Sequence, residues 1–376
     1  MKQDSKIYIA GGTGMVGSSI IKRLLSSGYT NIVSNYYKRK PDLNLNLSSV
    51  SFIELDLRRQ EDTERFFEKE RPEYVFLAAA KVGGILANST YKADFIYDNI
   101  MIASNVIHSA YKYEVKKLLN LGSSCIYPKY APQPMKEEYL LTGPLEPTNE
   151  PYAIAKISAI KLCKYYNEQY GTNFISVMPT NLYGLGDNFN LETAHVLPAL
   201  IRKFHLAKLL REKKYEEIKK DFQRFPVGFN LNLNLDLDLI LSKLGITSEY
   251  VMLWGTGEPY REFLYVDDLA DACVFLMERY DAMRSAPSST LAEGIGEFIN
   301  IGTGDDIKIK DIAKLIKKIV GFDGDIKWDT TKPDGTPRKL LDVSRLKALG
   351  WEPKVSLEEG IRRTYEWYVS NYSLQA

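Results

Sequence analysis

A tyrosine and a lysine stand four residues apart in the segment YAIAK, at Tyr152 and Lys156. On a helix this spacing places both side chains on the same face. A lysine ammonium beside a phenol favours the phenolate, so we expect Lys156 to lower the pKa of Tyr152. Such a tyrosine can give a proton to a carbonyl oxygen while hydride arrives at the carbon. The spacing is common in helices, and by itself it is mostly structural.

A second reactive segment, GSSCIYP, follows the strand-like run KKLLNL, where a sheet strand should end. Ser123 or Ser124 is placed to hydrogen-bond the carbonyl oxygen that Tyr152 would protonate. Cys125 comes directly after them, although an isolated cysteine is normally a small buried hydrophobe. Asn99, on a long predicted helix, is a candidate to position a water near the lysine. These residue types together predict proton transfer at a carbonyl compound.

Three glycines in the segment GGTGMVG, at Gly11, Gly14 and Gly17, follow a strand and open a helix. Glycines here let the backbone turn sharply and approach a pyrophosphate closely. The helix N-terminus then offers free N–H groups and a positive dipole end to that anion. We therefore predict a dinucleotide-binding turn rather than an ordinary tight turn between a strand and a helix.

The residues after the second strand indicate which dinucleotide is bound. An NAD site usually has a carboxylate at this strand end for the ribose 2′-hydroxyl. Here the strand NIVSN runs into two tyrosines and then Lys38, Arg39 and Lys40. Cations suit a 2′-phosphate, so we predict NADPH with Lys38 and Arg39 as its phosphate contacts. Asp56 and Leu57, ending the third strand, are candidates to face the adenine.

Strands and helices alternate over the first half of the chain, and each connection is long enough for a crossover. This pattern predicts an α/β protein whose residues 1–184 form a Rossmann-type, doubly wound parallel sheet. Residues 185–376 are interpreted as a smaller α/β lobe that binds the substrate. Elements near 262–283 are expected to return to the first domain.

A charged stretch at about 208–249 departs from this pattern and is interpreted as an insertion in the second lobe. Its later part reads NLNLNLDLDLIL over 230–241. Strict alternation suits a half-buried strand, whereas DLDLILSKLGI equally suits a helix that ends at Gly245.

The composition excludes several classes of partner. The 376 residues carry 49 Lys and Arg against 48 Asp and Glu, a net charge of +1, so no global field attracts nucleic acid or an anionic membrane. The three cysteines have no short spacing, which argues against a disulfide framework and a metal site. The start lacks an apolar signal core, and no apolar run approaches the ~18 residues that span a bilayer. We expect a soluble, cytoplasmic protein.

Taken together, the glycine turn, GSSCIYP and YAIAK resemble the extended short-chain dehydrogenase/reductase family. Longer segments, among them LEPTNEPYAIAKI, HVLPALIRKFH, REFLYVDD and KPDGTPRKLLD, are similar to one group within it, the GDP-L-fucose synthases. The resemblance covers most of the chain outside about 208–249. It implies an NADPH-dependent 4-reductase and 3,5-epimerase of a GDP-4-keto-6-deoxy sugar. It also implies a homodimer whose interface contains the helices at about 93–114 and 151–170.

The resemblance implies further residue roles. Cys125 and His195 would exchange protons at C3 and C5 of the sugar, which the 4-keto group acidifies. Tyr152 would protonate O4 and stabilise the enolate between steps. Cofactor contacts are implied for Met15, Val16, Ala79, Lys156, Asn181, Leu182 and His195, and substrate contacts for Lys203, Trp254, Arg261 and Asp334.

Two features depart from the family pattern. Thr13 stands in the glycine turn where a basic residue usually helps to hold the 2′-phosphate, which leaves that charge to Lys38 and Arg39. The insertion enlarges the substrate lobe, and relatives in bacterial capsule synthesis act on GDP-4-keto-6-deoxy-heptoses. The sequence therefore leaves hexose and heptose open.

Three other functions remain as alternatives to the epimerase-reductase. One is a pure 4-reductase of a heptose. Another is a nucleotide-sugar dehydratase or 4-epimerase, disfavoured because dehydratases commonly carry an acidic pair where this chain has Cys125 and Ile126. The last is a non-catalytic NADP-sensing protein, disfavoured because such modules tend to lose the tyrosine or the lysine.

Overall fold

The computed structural model of the chain describes residues 1–38, 40–41, 49–229, 236–282, 296–332 and 334–370. Its strands are β1 (Ile7–Ala10), β2 (Ile32–Tyr36), β3 (Val50–Glu54), β4 (Tyr74–Leu77), β5 (Lys117–Leu121), β6 (Phe174–Pro179), β7 (Asn181–Tyr183), β8 (Tyr250–Trp254), β9 (Tyr260–Tyr265), β10 (Ile299–Ile301), β11 (Asp306–Lys308), β12 (Asp325–Asp329) and β13 (Arg338–Lys339). Its α-helices are α1 (Met15–Ser26), α2 (Gln60–Glu70), α3 (Ile85–Thr90), α4 (Lys92–Lys112), α5 (Glu150–Tyr170), α6 (Val196–Arg211), α7 (Tyr215–Arg224), α8 (Leu237–Lys243), α9 (Val266–Arg279), α10 (Ile309–Val320), α11 (Ser344–Ala348) and α12 (Leu357–Ser370).

Seven parallel strands form the main sheet in the order β10-β6-β5-β4-β1-β2-β3. The chain builds outward from β1 to β3 on one side and from β4 to β10 on the other. The strand order therefore reverses between β1 and β4, the point where open α/β sheets bind ligands. This arrangement confirms the predicted Rossmann-type, doubly wound sheet. Its seventh strand, β10, was not predicted from the sequence.

The sheet is covered by helices on both faces, which explains why β1, β5 and β6 are buried at every residue. Successive residues of β1 alternate between the two faces. Ile7 and Ile9 pack in one apolar cluster with α1 and α9, whereas Tyr8 and Ala10 pack in another with α2, α4 and α5. Within the described ranges, every helix is too short or too polar to cross a bilayer.

A second, smaller sheet holds the elements that should bind the substrate. Its central strand is β9, which pairs with β7, β11 and β13. Only Thr180 separates β7 from β6, and its N–H donates to Ile301 O at 2.9 Å. The chain thus passes directly from the first sheet into the second. We propose that the boundary between the two domains lies near residue 184.

The described part of the 208–249 stretch contains the end of α6 and the two helices α7 and α8. The Asp236 carboxylate caps α8 by accepting from the N–H groups of Asp238 at 2.9 Å and Leu239 at 3.3 Å. Of the two interpretations, the helix is therefore correct from residue 237, whereas 230–235 lie outside the described residues. The fully buried Arg202 of α6 ties α7 in place through an ion pair of 2.7 Å with Asp221.

Candidate active site

The predicted tyrosine, lysine and serine meet at the carboxyl end of β5. One helical turn of α5 separates Tyr152 from Lys156, whose Nζ lies 5.7 Å from the centre of the tyrosine ring. Lys156 Nζ also donates a hydrogen bond of 2.7 Å to the carbonyl oxygen of Leu121. The Ser123 side chain lies close enough to the Tyr152 phenol to lower its pKa. The three side chains thus form one connected group.

The expectation that Lys156 lowers the pKa of Tyr152 is wrong. Burial raises the pKa of Tyr152 well above its usual range, the nearby Cys125 raises it further, and only the hydrogen bond with Ser123 acts in the other direction. Burial also lowers the pKa of Lys156 to about 8, against the opposing effect of Cys125. A phenol that keeps its proton near neutral pH is suited to be a proton donor.

A short 3₁₀ turn, Ser124–Ile126, places Cys125 just beyond β5. Ser123 caps this turn, since its Oγ accepts a hydrogen bond of 3.3 Å from the Cys125 N–H. Cys125 is a partly exposed residue, and its thiol sulfur has two polar neighbours among the described residues. Asn149 Nδ2 lies 3.3 Å from Sγ, and Lys339 Nζ lies 3.7 Å from it. Sequence reasoning missed both neighbours, although each lies in a segment that carries the family resemblance.

The predicted histidine, His195, lies immediately before α6. The preceding loop is joined to the loop after β4, because the Gly84 N–H donates to Thr193 O at 2.8 Å. The His195 side chain is exposed to solvent. The surrounding protein nevertheless desolvates the imidazole in part, which lowers its pKa, and the charge of Lys339 lowers it further. A lowered pKa favours the neutral imidazole, which is the form able to accept a proton.

The Asn99 side chain makes three hydrogen bonds within the protein. Its Oδ1 accepts from the Lys81 N–H at 2.9 Å, and its Nδ2 donates to Lys81 O at 3.0 Å and to Phe95 O at 2.7 Å. These three bonds commit the amide to holding the loop after β4 against α4. Because Oδ1 can accept a second hydrogen bond, the role of Asn99 in positioning a water near Lys156 stays a prediction.

The glycine turn fits a bound dinucleotide. A Cβ at Gly11, where φ is +85°, would lie 2.8 Å from Ala79 Cα, and one at Gly17 would lie 2.2 Å from Gly11 O. These two glycines are required by the protein itself. At Gly14 a Cβ would meet only Gly11 O, at 3.4 Å, so the space above it is left to a ligand. No side chain caps α1, whose first residues are Met15 and Val16, so its N-terminal N–H groups suit a pyrophosphate.

Two polar residues near the end of β2 hold this turn in place. Asn35 Oδ1 accepts from the Gly11 N–H at 2.9 Å, and Ser34 Oγ accepts from the Gly12 N–H at 3.0 Å. Asn35 Nδ2 also donates to Leu55 O at 3.0 Å. Sequence analysis missed both residues. The available signal was a polar pair at the end of an otherwise apolar strand.

The predicted 2′-phosphate contacts lie beyond β2. Lys38 is exposed, and its Nζ lies 5.2 Å from the centre of the Tyr37 ring. Arg39 lies outside the described residues. The structure adds a cation that was not predicted, because the Arg58 guanidinium lies 5.0 Å from the centre of the same ring.

The two candidates for the adenine contact differ in what they can offer. Asp56 forms an ion pair of 2.7 Å with Arg58, and this hydrogen-bonded partner lowers the pKa of the carboxyl group. The Leu57 side chain is buried in the apolar core, so only its backbone remains for a ligand.

Replacing Lys38 and Arg39 together with alanine should weaken NADPH binding much more than NADH binding. A hydrogen bond to a charged group is worth ~1.5–3 kcal/mol, and exposure reduces it, so we expect a rise in Kd for NADPH of at least ~10-fold. Titration of protein fluorescence with each dinucleotide measures the effect, and NADH serves as the internal control. Equal losses for both dinucleotides would contradict the predicted placement.

The predicted substrate residues lie around β8 and β9. Lys203 of α6 donates to Met252 O at 3.2 Å, and burial lowers its pKa to about 8. Trp254 ends β8 with 55% of its surface exposed, and Lys332 Nζ lies 5.6 Å from the centre of its ring. The exposed indole face is available to a flat ligand.

Arg261 lies close to both Asp334 and Cys125, because the charges of both groups affect its pKa. Burial lowers the pKa of Arg261, and the charges of Asp334 and Cys125 oppose that shift. Asp334 is held by Thr256, whose N–H and hydroxyl donate to the two carboxylate oxygens at 2.8 and 2.6 Å. One cation thus lies near both the loop of Asp334 and the reactive sulfur.

Asn181 and Leu182 lie on β7, where the chain enters the second sheet, and pair with Phe263 and Leu264 of β9. Asn181 Nδ2 donates to Glu262 O at 2.8 Å, which commits one side of its amide to the protein.

Comparison with known proteins places this geometry in a family. The model of the NAD dependent epimerase/dehydratase family matches residues 7–222 and 240–302. The chain is 50% identical to GDP-L-fucose synthase 1 of Arabidopsis thaliana over 98% of its length and 94% of that protein. It is 40% identical, with a TM-score of 0.84 and 99% of both chains covered, to a GDP-6-OMe-4-keto-L-xylo-heptose reductase from C. jejuni. A GDP-D-glycero-L-gluco-heptose synthase from Campylobacter jejuni, solved in the presence of NADPH, is also 40% identical, with a TM-score of 0.83 over 98% of this chain and 99% of that one.

Proposed function

The chain belongs to the NAD dependent epimerase/dehydratase family and, within it, to the GDP-L-fucose synthase group, and on this premise we propose that it reduces the 4-keto group of a GDP-4-keto-6-deoxy sugar with NADPH. We also propose that it epimerises C3 and C5 of that sugar. The proposal rests on the convergence of Ser123, Tyr152 and Lys156 beside Cys125 at the end of β5.

The reduction needs a proton donor at O4 of the sugar. Tyr152 holds its proton because burial raises the pKa of the phenol, and Ser123 is placed to hydrogen-bond the same oxygen. A bound NADPH supplies the hydride that the sugar C4 receives. The hydrogen bond to Leu121 O holds Lys156 in place, so that its amine remains beside the phenol while Tyr152 gives up its proton. The glycine turn and the open N-terminus of α1 would hold the dinucleotide pyrophosphate.

Epimerisation needs groups that remove a proton from a carbon next to the ketone and return one on the opposite face. Cys125 and the neutral His195 are the two that we assign to this exchange. The enolate oxygen formed between the steps is the same O4, so Tyr152 and Ser123 stabilise it by hydrogen bonding. One set of oxygen contacts therefore serves both reactions.

The GDP part of the substrate is assigned to the second lobe. Lys203 and Arg261 supply the positive charge that a diphosphate requires. Trp254 offers an exposed indole face, and Asp334 is held beside it by Thr256. We propose this pair for recognition of the nucleoside.

Incubation with GDP-4-keto-6-deoxy-mannose and NADPH in deuterated water tests the proposal. We expect loss of absorbance at the nicotinamide band and incorporation of deuterium at C3 and C5. Loss of absorbance without incorporation of deuterium would support only the 4-reductase. If both signals were absent with every GDP-keto-sugar tested, the enzyme assignment would be refuted.

A heptose reductase is the second candidate, favoured by a specific observation. Two solved heptose enzymes match 98–99% of this chain, with TM-scores of 0.83–0.84. Comparing kcat/KM for GDP-4-keto-6-deoxy-mannose and for the corresponding heptose decides between the two sugars. A heptose preference would also suit a role in capsule polysaccharide synthesis.

We propose a homodimer formed through α4 and α5. These helices pack side by side and carry exposed aromatic residues, among them Tyr97 at 62%, Tyr165 at 53% and Tyr170 at 47% exposure. An apolar surface of this kind is typical of an interface. Sedimentation at micromolar concentration should show a dimer that Tyr165→Glu weakens and Tyr130→Glu, at an exposed tyrosine elsewhere, does not. A wild-type monomer would contradict this prediction.

We also propose that the protein works in the cytoplasm. Its three cysteines, Cys125, Cys163 and Cys273, are free thiols, which suits a reducing compartment.

A further inference from the structure

We propose that Asn149 and Lys339 are positioning residues that hold the Cys125 sulfur for proton exchange with carbon. The inference rests on the proposed epimerase function and deepens it. Neither residue has a part in the reduction as described above.

Asn149 directs its amide at the sulfur instead of at its own helix. It occupies the N-cap position of α5, where an asparagine usually accepts a hydrogen bond from a free N–H of the first turn. Here it makes no such bond, and its Nδ2 lies 3.3 Å from Cys125 Sγ. Its Oδ1 is buried and has no hydrogen-bond partner among the described residues. Within the part of the chain that the structure describes, the Asn149 side chain thus neither caps α5 nor forms a hydrogen bond through its oxygen, and its one hydrogen-bond contact is with the Cys125 sulfur.

The amide can serve the sulfur in both of its protonation states. An N–H of the amide donates to a thiolate, and the amide oxygen, after rotation about χ2, accepts from a thiol S–H. A group that takes a proton from carbon and later gives one back passes through both states. An acceptor-only side chain of the same size would serve only the thiol.

Lys339 brings positive charge to the same sulfur, with its Nζ 3.7 Å from Sγ. Its backbone is fixed on both sides, because β13 pairs Lys339 with Arg261, and the Glu262 carboxylate accepts from the Leu341 N–H at 3.0 Å. Among the described residues, no carboxylate lies within ion-pair distance of its ammonium. The charge is therefore available to the sulfur.

Lys339 also acts on the second proton-transferring group, since its charge helps to lower the pKa of His195. It therefore lies near both Cys125 and His195. A thiol that has given up its proton carries a negative charge beside this ammonium and the Asn149 N–H, and both neighbours stabilise that charge. Tyr152, by contrast, relies on Ser123 and Lys156. Loss of the two positioning residues should impair carbon-proton exchange more than reduction.

The test compares Asn149→Asp, Asn149→Ala and Lys339→Met with the wild type. Lys129→Met is the matched control, because Lys129 lies four residues beyond the cysteine but pairs with Glu146. The first readout is the rate at which iodoacetamide alkylates Cys125 at pH 7.5, followed on its peptide by mass spectrometry. The second is deuterium incorporation at C3 and C5. The third is kcat for reduction of a substrate that already has the accepted configuration, at saturating concentration.

We expect Asn149→Asp and Lys339→Met to slow alkylation by ~5-fold or more, because the thiolate is the nucleophile. Deuterium incorporation should fall by ~10-fold or more, while kcat for reduction stays within ~3-fold. Asn149→Ala should have smaller effects of the same kind, and the Lys129→Met values should equal those of the wild type.

Two outcomes would overturn the inference. One is unchanged alkylation in both Asn149→Asp and Lys339→Met. The other is an equal loss of exchange and reduction, which indicates only a structural role. The wild type could fail to exchange deuterium while alkylation is still slowed in the variants. This result would refute the epimerase proposal but support the role of Asn149 and Lys339 in positioning the Cys125 sulfur.

Discussion

Tyr152→Phe should lower kcat for NADPH oxidation with the keto-sugar by ~10²–10⁴-fold, the usual worth of a general acid. The substitution removes only the hydroxyl, whose pKa the nearby Ser123 side chain lowers. The ring remains, together with its edge contact to Phe95, whose centroid lies 6.3 Å away. The fold and the site of the dinucleotide should therefore be preserved. Stopped-flow absorbance measures the rate, and fluorescence titration measures the affinity for NADPH.

Tyr130→Phe provides a matched control for this result, because Tyr130 lies outside the proposed dimer interface and 77% of its surface is exposed. Its kcat should equal that of the wild type. Near-normal NADPH oxidation by Tyr152→Phe would refute the mechanism, since the mechanism assigns protonation of O4 to this phenol alone.

Cys125→Ala and Cys125→Ser should abolish deuterium exchange at C3 or C5 of the GDP-keto-sugar. A proton next to a ketone needs its own positioned base, and the phenol of Tyr152 is committed to O4. Both variants should still reduce a substrate of the accepted configuration, because Tyr152 and Lys156 remain. Magnetic resonance of the product measures exchange, and absorbance measures reduction. His195→Gln should impair exchange as well, since it removes the partner group.

His108→Gln is the control for the histidine, because His108 lies on α4 with its Nδ1 2.8 Å from the Tyr166 hydroxyl, and it is assigned no part in the chemistry. The decisive contrary result concerns the wild type. If it reduces a pre-epimerised substrate and never exchanges a carbon-bound proton, the epimerase assignment fails. Cys125 would then be a structural or inherited residue in a pure 4-reductase.

The sequence predicted those parts of the site that depend on local periodicity. Tyr152 and Lys156 share a helix face because four residues make about one turn, and the strand-turn-helix context identified Gly11, Gly14 and Gly17. It also predicted the alternating strands and helices that become a parallel sheet. The glycine turn illustrates the limit of this reasoning, because its anchors, Asn35 and Ser34, belong to a different strand.

The tertiary structure alone decided what surrounds these residues. The pKa of Tyr152 rises rather than falls because burial and the nearby Cys125 raise it, and neither effect is visible in a four-residue spacing. Asn149 and Lys339 reach the Cys125 sulfur from 24 and 214 residues away along the chain. Spacing rules relate residues within one element, whereas these contacts arise where separate elements meet at the end of β5. The sequence by itself therefore determined which groups can react, and the packing of distant segments determined their protonation and their partners.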